Sequence, residues 1–490
     1  MNDLSKADLD TAAQDAIKAR CRVAVLGAGP AGLAAAYRFA KREDASVEVF
    51  ERAPGPGGNS GSFLMEGIWC DYGSHRFHPV AGPEILEDLH DLLGDDLLLR
   101  PRHGRIRLGG RWIKFPLKPG NALVKLPAWF GFSLLRDMVS KRFKTSARAE
   151  TTFAGVMKAG LGQTICEHFY FPYVTKLWGI PPEDLDAELA HRRVSGNSVG
   201  RILRKMLSQL PGVRSPTAGR FYYPRRGFGQ IMHAMADACE AEGVRFSYGA
   251  GISRITREGQ KITGFDATID GQDRRVSADQ ILSSIPLTTL VSLIDPPAEE
   301  AVRDAASRIR SRGMILIYLV LETDQFTEYD AHYFPELSIP VSRLSEPKNY
   351  SAATEPKGRT ILCAELPSDP GSEHWGMDDD RLGAELVTWL GEVGLPVKVP
   401  VLKTITRRLP NAYPVYARGY ADDFRTVDTW LSSLDGLVTF GRQGLFAHDN
   451  THHAFATAYA VEACVRPDGS FDKETWAGHR KDFESHVVED

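Results

Sequence analysis

Cysteine is scarce: six residues in 490, far apart at Cys21, Cys70, Cys166, Cys239, Cys363 and Cys464. No CxxC pair occurs, so neither a disulfide framework nor a zinc ribbon is expected, and a reducing cytoplasm is the expected setting. Excess charge of one sign is also missing. The 59 lysines and arginines stand against 63 acids, a net charge of -4, which gives no reason to expect nucleic acid as a partner. Local basic clusters, Arg100 to Arg111 and Arg192 to Arg193, read as solvated faces or small-anion contacts. No run of about 18 apolar residues exists, so no transmembrane segment is expected. The polar start, "MNDLSKADLDTAAQDAIKAR", lacks the apolar core of a signal peptide and reads as a flexible extension over 1–20. "NALVKLPAWFGFSLLRDMV" (Asn121 to Val139) is apolar between Lys125 and Arg136, and suits either a buried helix or peripheral membrane contact. What remains is an ordinary globular composition, 43% hydrophobic and 25% charged, at a length that calls for two domains.

"RVAVLGAGPAGLAAAYRFAKRE" opens at Arg22 with an apolar run, Val23 to Leu26, that reads as a buried parallel strand. Gly27, Gly29 and Gly32 follow at GxGxxG spacing, then an alanine-rich helix to about Arg42. A second strand, "SVEVFE", ends at Glu51, nineteen residues beyond Gly32. Gly27 permits the tight turn, Gly29 lets backbone approach a pyrophosphate, and Gly32 lets helix and strand pack closely. The helix start offers N–H groups and a positive dipole to the phosphates, and Glu51 would accept from a ribose. With strand, helix and acid in place, the spacing points to dinucleotide binding.

The next residues, "ERAPGPGGNSGS", place Gly57 and Gly58 just after Arg52. They suit a glycine-rich surface turn, but they also resemble the second glycine motif of the FAD-dependent amine oxidase, protoporphyrinogen oxidase and phytoene desaturase superfamily. Further stretches resemble one branch of it, the UDP-galactopyranose mutases and their relatives. These are "YGSHRFHP" (Tyr72 to Pro79), "FYFPYVTKLWGIPPEDLDAELAHRR" (Phe169 to Arg193), "VSRLSEPKNY" (Val341 to Tyr350), "NAYPVYARGY" and "TFGRQGLFAHDNTHHAF".

The resemblance implies FAD as cofactor and an α/β fold: a discontinuous Rossmann-like FAD-binding domain with an inserted α+β substrate domain. The cofactor domain is expected over 21–80, 222–290 and 430–466, the substrate domain over 81–221 and 291–429, and a C-terminal tail over 467–490. It implies FAD contacts at Gly27, Gly29, Pro30, Ala31, Gly32, Glu51, Arg52, Gly58, Asn59, Arg442 and Asn450. Arg442 suits a fork donor to pyrophosphate. Asn450 or Thr451 would cap a helix of small residues whose N-terminus faces the flavin. His448, His452 and His453 read as helix-start residues, exposed or catalytic.

"DYGSHRFHPV" raises a question of its own. Asp71, His75 and His78 at i, i+4, i+7 would suit a metal, but a closed zinc site wants four ligands and none accompanies them. The resemblance instead lays the segment on the flavin ring, with His75 as a flavin-face residue or a structural histidine. It adds Arg343, which matches a diphosphate arginine of the mutases, and Tyr413 as a pocket hydroxyl. The second mutase arginine is missing: Arg192 matches the first of the pair, but Gly196 stands where the other is due, with Arg193 or Arg201 nearby. The mutase histidine after lysine is also absent from "EPKNY". An FAD-dependent oxidoreductase acting on a small molecule is therefore the leading expectation. A redox-neutral mutase of a nucleotide sugar and a non-catalytic flavin-binding protein are the alternatives. A homo-oligomer is compatible with all three.

Overall fold

The computed structural model describes residues 20–116, 150–193 and 219–488, together with 125, 130, 133, 136 and 137. The expected extension over 1–20 and most of the 121–139 segment therefore lie outside the described residues, as do Gly196 and Arg201. Two compact units emerge. One takes 1–58, 232–307 and 423–486; the other takes 59–231, 308–422 and 487–490. Residues 59–80, grouped by sequence with the cofactor domain, cluster with the second unit, and most of the C-terminal tail clusters with the first.

The first unit is built on five parallel strands: β1 (Cys21–Leu26), β2 (Ala45–Glu51), β3 (Arg245–Tyr248), β4 (Gln280–Ser283) and β5 (Leu437–Thr439). Their order across the sheet is β5-β4-β1-β2-β3. Strands 1, 2 and 3 run one way from the centre and 4 and 5 the other, so the topology switches beside β1, where open α/β sheets bind ligands. β1 is fit for this place because Val23, Ala24, Val25 and Leu26 are all buried. The helix α1 (Pro30–Ala40) follows, with Pro30 at its first position and Ala34, Ala35 and Ala36 buried. Short side chains let a second helix, α2 (Thr451–Ala463), lie against it. An antiparallel meander of Gly251–Glu258, Lys261–Ile269 and Gln272–Val276 adds to the unit. Its second hairpin turns on Asp270 and Gly271, both at positive φ (51° and 76°), as a two-residue Asp-Gly hairpin turn requires.

The second unit centres on a seven-stranded mixed sheet in the order Val401–Pro414, Ser311–Leu321, Thr360–Pro367, Arg343–Ser345, Ala331–Tyr333, Gly104–Leu108, Arg111–Phe115. Alternation along Ser311–Leu321 sorts its two faces. Ile315, Ile317, Leu319 and Leu321 pack with Leu382, Leu386 and Leu390 of the helix Asp379–Glu392. Met314, Leu316, Tyr318 and Val320 face the other way, against Met65, Ile68 and Cys70 of the hairpin Ser62–Met65/Ile68–Asp71. The six cysteines are all buried and none is in a disulfide. Among the described residues no helix is long and apolar enough to cross a membrane.

Candidate functional site

In the first unit the chain leaves β1 through Gly27, whose φ of 97° lies in the left-handed region. On the helix side of that turn, a β-carbon at Gly32 would stand 1.8 Å from the Gly27 carbonyl oxygen. Helix and strand can meet this closely only over a glycine. The second glycine run closes on the first. Gly57 N–H donates to the Ala28 carbonyl at 2.8 Å, and a β-carbon on Gly58 would lie 3.0 Å from the Gly29 Cα. "PGPGG" is thus part of the glycine loop and not an independent surface turn.

Gly29 caps α1 without any side-chain hydrogen bond, which leaves the helix start and its dipole to an anion. Pro30 is half-buried and Ala31 buried. Glu51, at the end of β2, accepts from Ala28 N–H and Ala53 N–H, both at 2.7 Å. Each carboxylate oxygen keeps a further lone pair for a ribose hydroxyl. Arg52 and Gly58 are exposed.

The third segment reaches the same place. A β-carbon at Gly441 would lie 2.4 Å from Ala31 Cβ, so Arg442 stands next to the start of α1. Its Nη1 donates to the Asp449 carbonyl at 3.3 Å. Asn450 is the N-cap of α2, in a reciprocal box with His453. A side-chain-free floor, an open helix start, a fixed carboxylate and an arginine together suit the phosphates and ribose of a dinucleotide. Those residues would hold FAD.

The neighbouring histidines depart from the exposed role that polarity suggested. His448, His452 and His453 are buried. Asp449 Oδ1, buried and without a hydrogen bond, lies 3.7 Å from His453 Nδ1 and 3.5 Å from His486 Nδ1. These are the donor atoms among the described residues that come near enough to suggest a metal. The rings of His453 and His486, however, are stacked at 4.2 Å with planes 14° apart. An ion sits about 2.0–2.1 Å from a ring nitrogen and close to that ring's plane, so two parallel rings cannot aim at one ion. His453 Nδ1 also accepts Asn450 N–H at 3.2 Å. The cluster is packing around a buried carboxylate.

The second unit holds the proposed catalytic residues. Strand register places Tyr333, Arg343, Glu365, Leu316 and Arg407 in one row on one face of the sheet. Arg343 grips Glu365 with two parallel bonds, Nε and Nη2 to the two carboxylate oxygens, each 2.9 Å. Burial opposes the charge on Arg343, but Glu365 beside it keeps its pKa well above normal. Glu365 also accepts Ser74 N–H at 2.7 Å, and a β-carbon on Gly73 would meet it at 3.3 Å. The "GSHR" segment therefore rides over this row.

Two residues on, Arg76 donates to the Tyr333 and Tyr350 hydroxyls at 2.7 and 3.0 Å. It lies between the rings of Phe221 and Tyr350, each 5.1 Å away. Burial works against this charge too, and Tyr333, Tyr350 and Asp330 hold it.

His75 Nε2 lies 3.0 Å from the Tyr72 carbonyl. A carbonyl only accepts, so Nε2 carries the proton and Nδ1 is left with a lone pair. Burial pushes the His75 pKa below its usual value, offset in part by Asp71, so the ring is neutral. Asp71 is buried and takes hydrogen bonds from Ser62 Oγ, Tyr223 Oη and Phe228 N–H at 2.6, 2.7 and 2.8 Å. His78 Nδ1 accepts Val80 N–H. The i, i+4, i+7 trio does not converge on an ion.

Tyr413 lies 6.2 Å from Trp178, ring to ring, and the Arg193 guanidinium faces both rings, at 5.9 and 5.4 Å. Arg192, the residue that matched the mutase arginine, instead binds Glu188 one helical turn back at 2.6 Å. The Asn59 amide donates to the Asn411 carbonyl at 3.0 Å. Sequence reasoning did not find Glu365, Tyr333, Tyr350 or Tyr223. A lone acid inside "TILCAELP", a strand buried throughout, was the available signal for Glu365, because buried carboxylates need partners.

A parallel sheet with this glycine loop, open helix start and fixed carboxylate suits a flavin-dependent enzyme. The model of the flavin containing amine oxidoreductases matches residues 30–430, and the chain belongs to that family, with FAD as its cofactor. It is 24% identical over 413 residues to a zeta-carotene-forming phytoene desaturase of Myxococcus xanthus, covering 76% of this chain and 78% of the relative. It is also 24% identical over 459 residues to a coproporphyrinogen III oxidase of Propionibacterium freudenreichii subsp. freudenreichii, covering 84% of each. Among solved structures, a reduced UDP-galactopyranose mutase superposes with a TM-score of 0.78 at 22% identity, over 96% of this chain and 100% of the mutase.

Proposed function

We propose that the protein removes a hydride from a carbon of an organic substrate, with His75 Nδ1 receiving the accompanying proton. FAD, when bound, supplies the hydride acceptor at N5. The observation that carries this reading is the fixed tautomer of His75. Its Nε2–H is committed to Tyr72, its Nδ1 lone pair is unprotonated, and the ring is only partly buried. A neutral base of this kind can take a proton without first losing one. Tyr413, with Arg193 over its ring, is the candidate hydroxyl for orienting the substrate, and Arg343 orders the His75 segment through Glu365 and Ser74.

The names of both curated relatives describe oxidative enzymes and support this reading. The likeness to a mutase supports a second one, redox-neutral chemistry on a nucleotide sugar. Against it stands the pairing of Arg343, the arginine such chemistry would aim at a diphosphate, with Glu365 through both of its forks.

Anaerobic mixing with nucleotide sugars, porphyrinogens, polyenes and amines separates the two. Bleaching of the flavin by one of these compounds is expected, together with much slower bleaching in His75→Ala of unchanged flavin content. Turnover seen only after dithionite reduction would move the assignment to the mutase type.

A further inference from the structure

The near-neutral charge of the whole chain hides one strongly basic stretch. From Leu97 to Ala149 the sequence carries thirteen lysines and arginines and a single acid, Asp137. Within the same stretch lie Trp129, Phe132, Leu134 and Leu135, while Phe130 is buried.

The described part begins as the hairpin Gly104–Leu108/Arg111–Phe115, whose second strand is the outermost of the seven-stranded sheet. Arg111 and Lys114 are exposed on it, as are Lys125 and Arg136 beyond it. Arg111 Nη1 donates to the Lys125 carbonyl at 3.3 Å, so the hairpin tip and Lys125 form one surface. Arg136 lies 3.5 Å from the one acid of the stretch, Asp137, with its side chain still 64% exposed, while other described members meet carbonyls or rings. Arg100 bonds the carbonyls of Tyr350 and Asn349. Arg105 lies between the rings of Trp112 and Tyr329, at 4.2 and 4.6 Å. Arg107 does pair with Glu336, and the Glu336 carboxylate also accepts Gly110 N–H at 2.9 Å. That contact brings Leu337, 61% exposed, to the tip.

Charges on an edge strand guard against strand pairing. That task needs one or two residues, and solvated faces ordinarily mix both signs. A one-signed basic stretch interleaved with aromatic and aliphatic residues is instead the composition that suits a negatively charged apolar interface. We propose that this face docks on membranes containing anionic phospholipid. Arg111, Lys114, Lys125 and Arg136 would meet the headgroups, and Leu337 the interfacial region.

Co-sedimentation of the flavin-loaded protein with vesicles tests this. Binding is expected to equimolar phosphatidylglycerol and phosphatidylcholine, to be absent with phosphatidylcholine alone, and to fade as salt rises. Each basic residue near such a surface strengthens partition about fivefold. R111E/K114E should therefore lower it by at least about twentyfold, with flavin content unchanged as the check on folding. L337N should weaken binding without altering its salt dependence. Equal sedimentation with both vesicle types, or full binding by R111E/K114E, would overturn the proposal. So would binding to an oligonucleotide with no vesicle binding, which would assign the face to nucleic acid.

Discussion

Replacing Glu365 by alanine should be among the most damaging single changes in the second unit. Its carboxylate is 4% exposed and the facing Arg343 side chain 17%. Removing one partner of a buried ion pair costs about 3–5 kcal/mol, because the remaining charge stays uncompensated. Ser74 N–H also loses its acceptor, adding about 1 kcal/mol. Glu365→Gln keeps the shape and one accepting oxygen, but its amide turns a donor towards a donor, and about half of the loss is expected. The double replacement R343M/E365L removes both charges and should recover most of the stability, since apolar substitutes for a buried pair are often neutral or better. Urea unfolding followed by intrinsic fluorescence measures all three, provided the m-value is unchanged. A loss below about 1 kcal/mol in Glu365→Ala, or a double variant as unstable as the single, would refute the burial argument. The same variants probe function. In E365Q the Arg343 guanidinium loses its opposing charge and one of its two acceptors, so inorganic pyrophosphate should bind more tightly than to the unaltered protein. Unchanged affinity would mean that Glu365 never withheld Arg343 from anions.

 Four further outcomes are expected. Glu51→Ala should purify with little flavin, because the ribose loses its acceptor and the glycine loop loses the carboxylate that ties it down; full occupancy would remove Glu51 from the cradle. Ala28 N–H and Ala53 N–H both lose their acceptor in that variant. Gly32→Ala should lose both flavin and cooperative folding, since the new β-carbon would lie 1.8 Å from the Gly27 carbonyl oxygen; a stable yellow G32A protein would contradict the packing of α1 on β1. The pH dependence of flavin reduction should reflect a His75 pKa held below 6.5, so the acid limb of the rate profile falls at a pH below that value. Stability follows the same group. Below pH 6.5 the unfolded chain binds a proton that the folded chain refuses, so acidification through this range destabilises the protein until the folded pKa is reached. The acid-side slope of stability against pH should shrink in H75A, and an unchanged slope would assign it to other groups.

Much of the cofactor unit was legible in the sequence because its signals are local. The β1 run, the three glycines and Glu51 lie within thirty residues of one another, and each has a backbone reason to be what it is. Small differences have local causes as well: α1 stops at Ala40, short of Arg42, where Lys41 N–H bonds back to the Arg38 carbonyl and Arg42 N–H to the Phe39 carbonyl. The histidines near α2 were less legible. Their polarity suggested exposure, yet His453 is covered by His486, which belongs to the segment after a further helix, α3 (Lys473–Phe483). No periodicity within "HDNTHH" encodes a partner that distant.

The substrate side depends on register, which is why single motifs read it incompletely. Arg343 is visible in "SRLSEPK", but its charge is matched only because the strand Arg343–Ser345 pairs antiparallel with Thr360–Pro367 so as to set Arg343 opposite Glu365. A shift of one residue would point Glu365 to the opposite face. The arginines at 192 and 193 make the same point on a helix. Neighbouring positions are about 100° apart around the axis, so Arg192 can reach back to Glu188 while Arg193 reaches the rings of Trp178 and Tyr413. Matching by residue type selects Arg192, whereas the geometry offers Arg193 to whatever Tyr413 contacts.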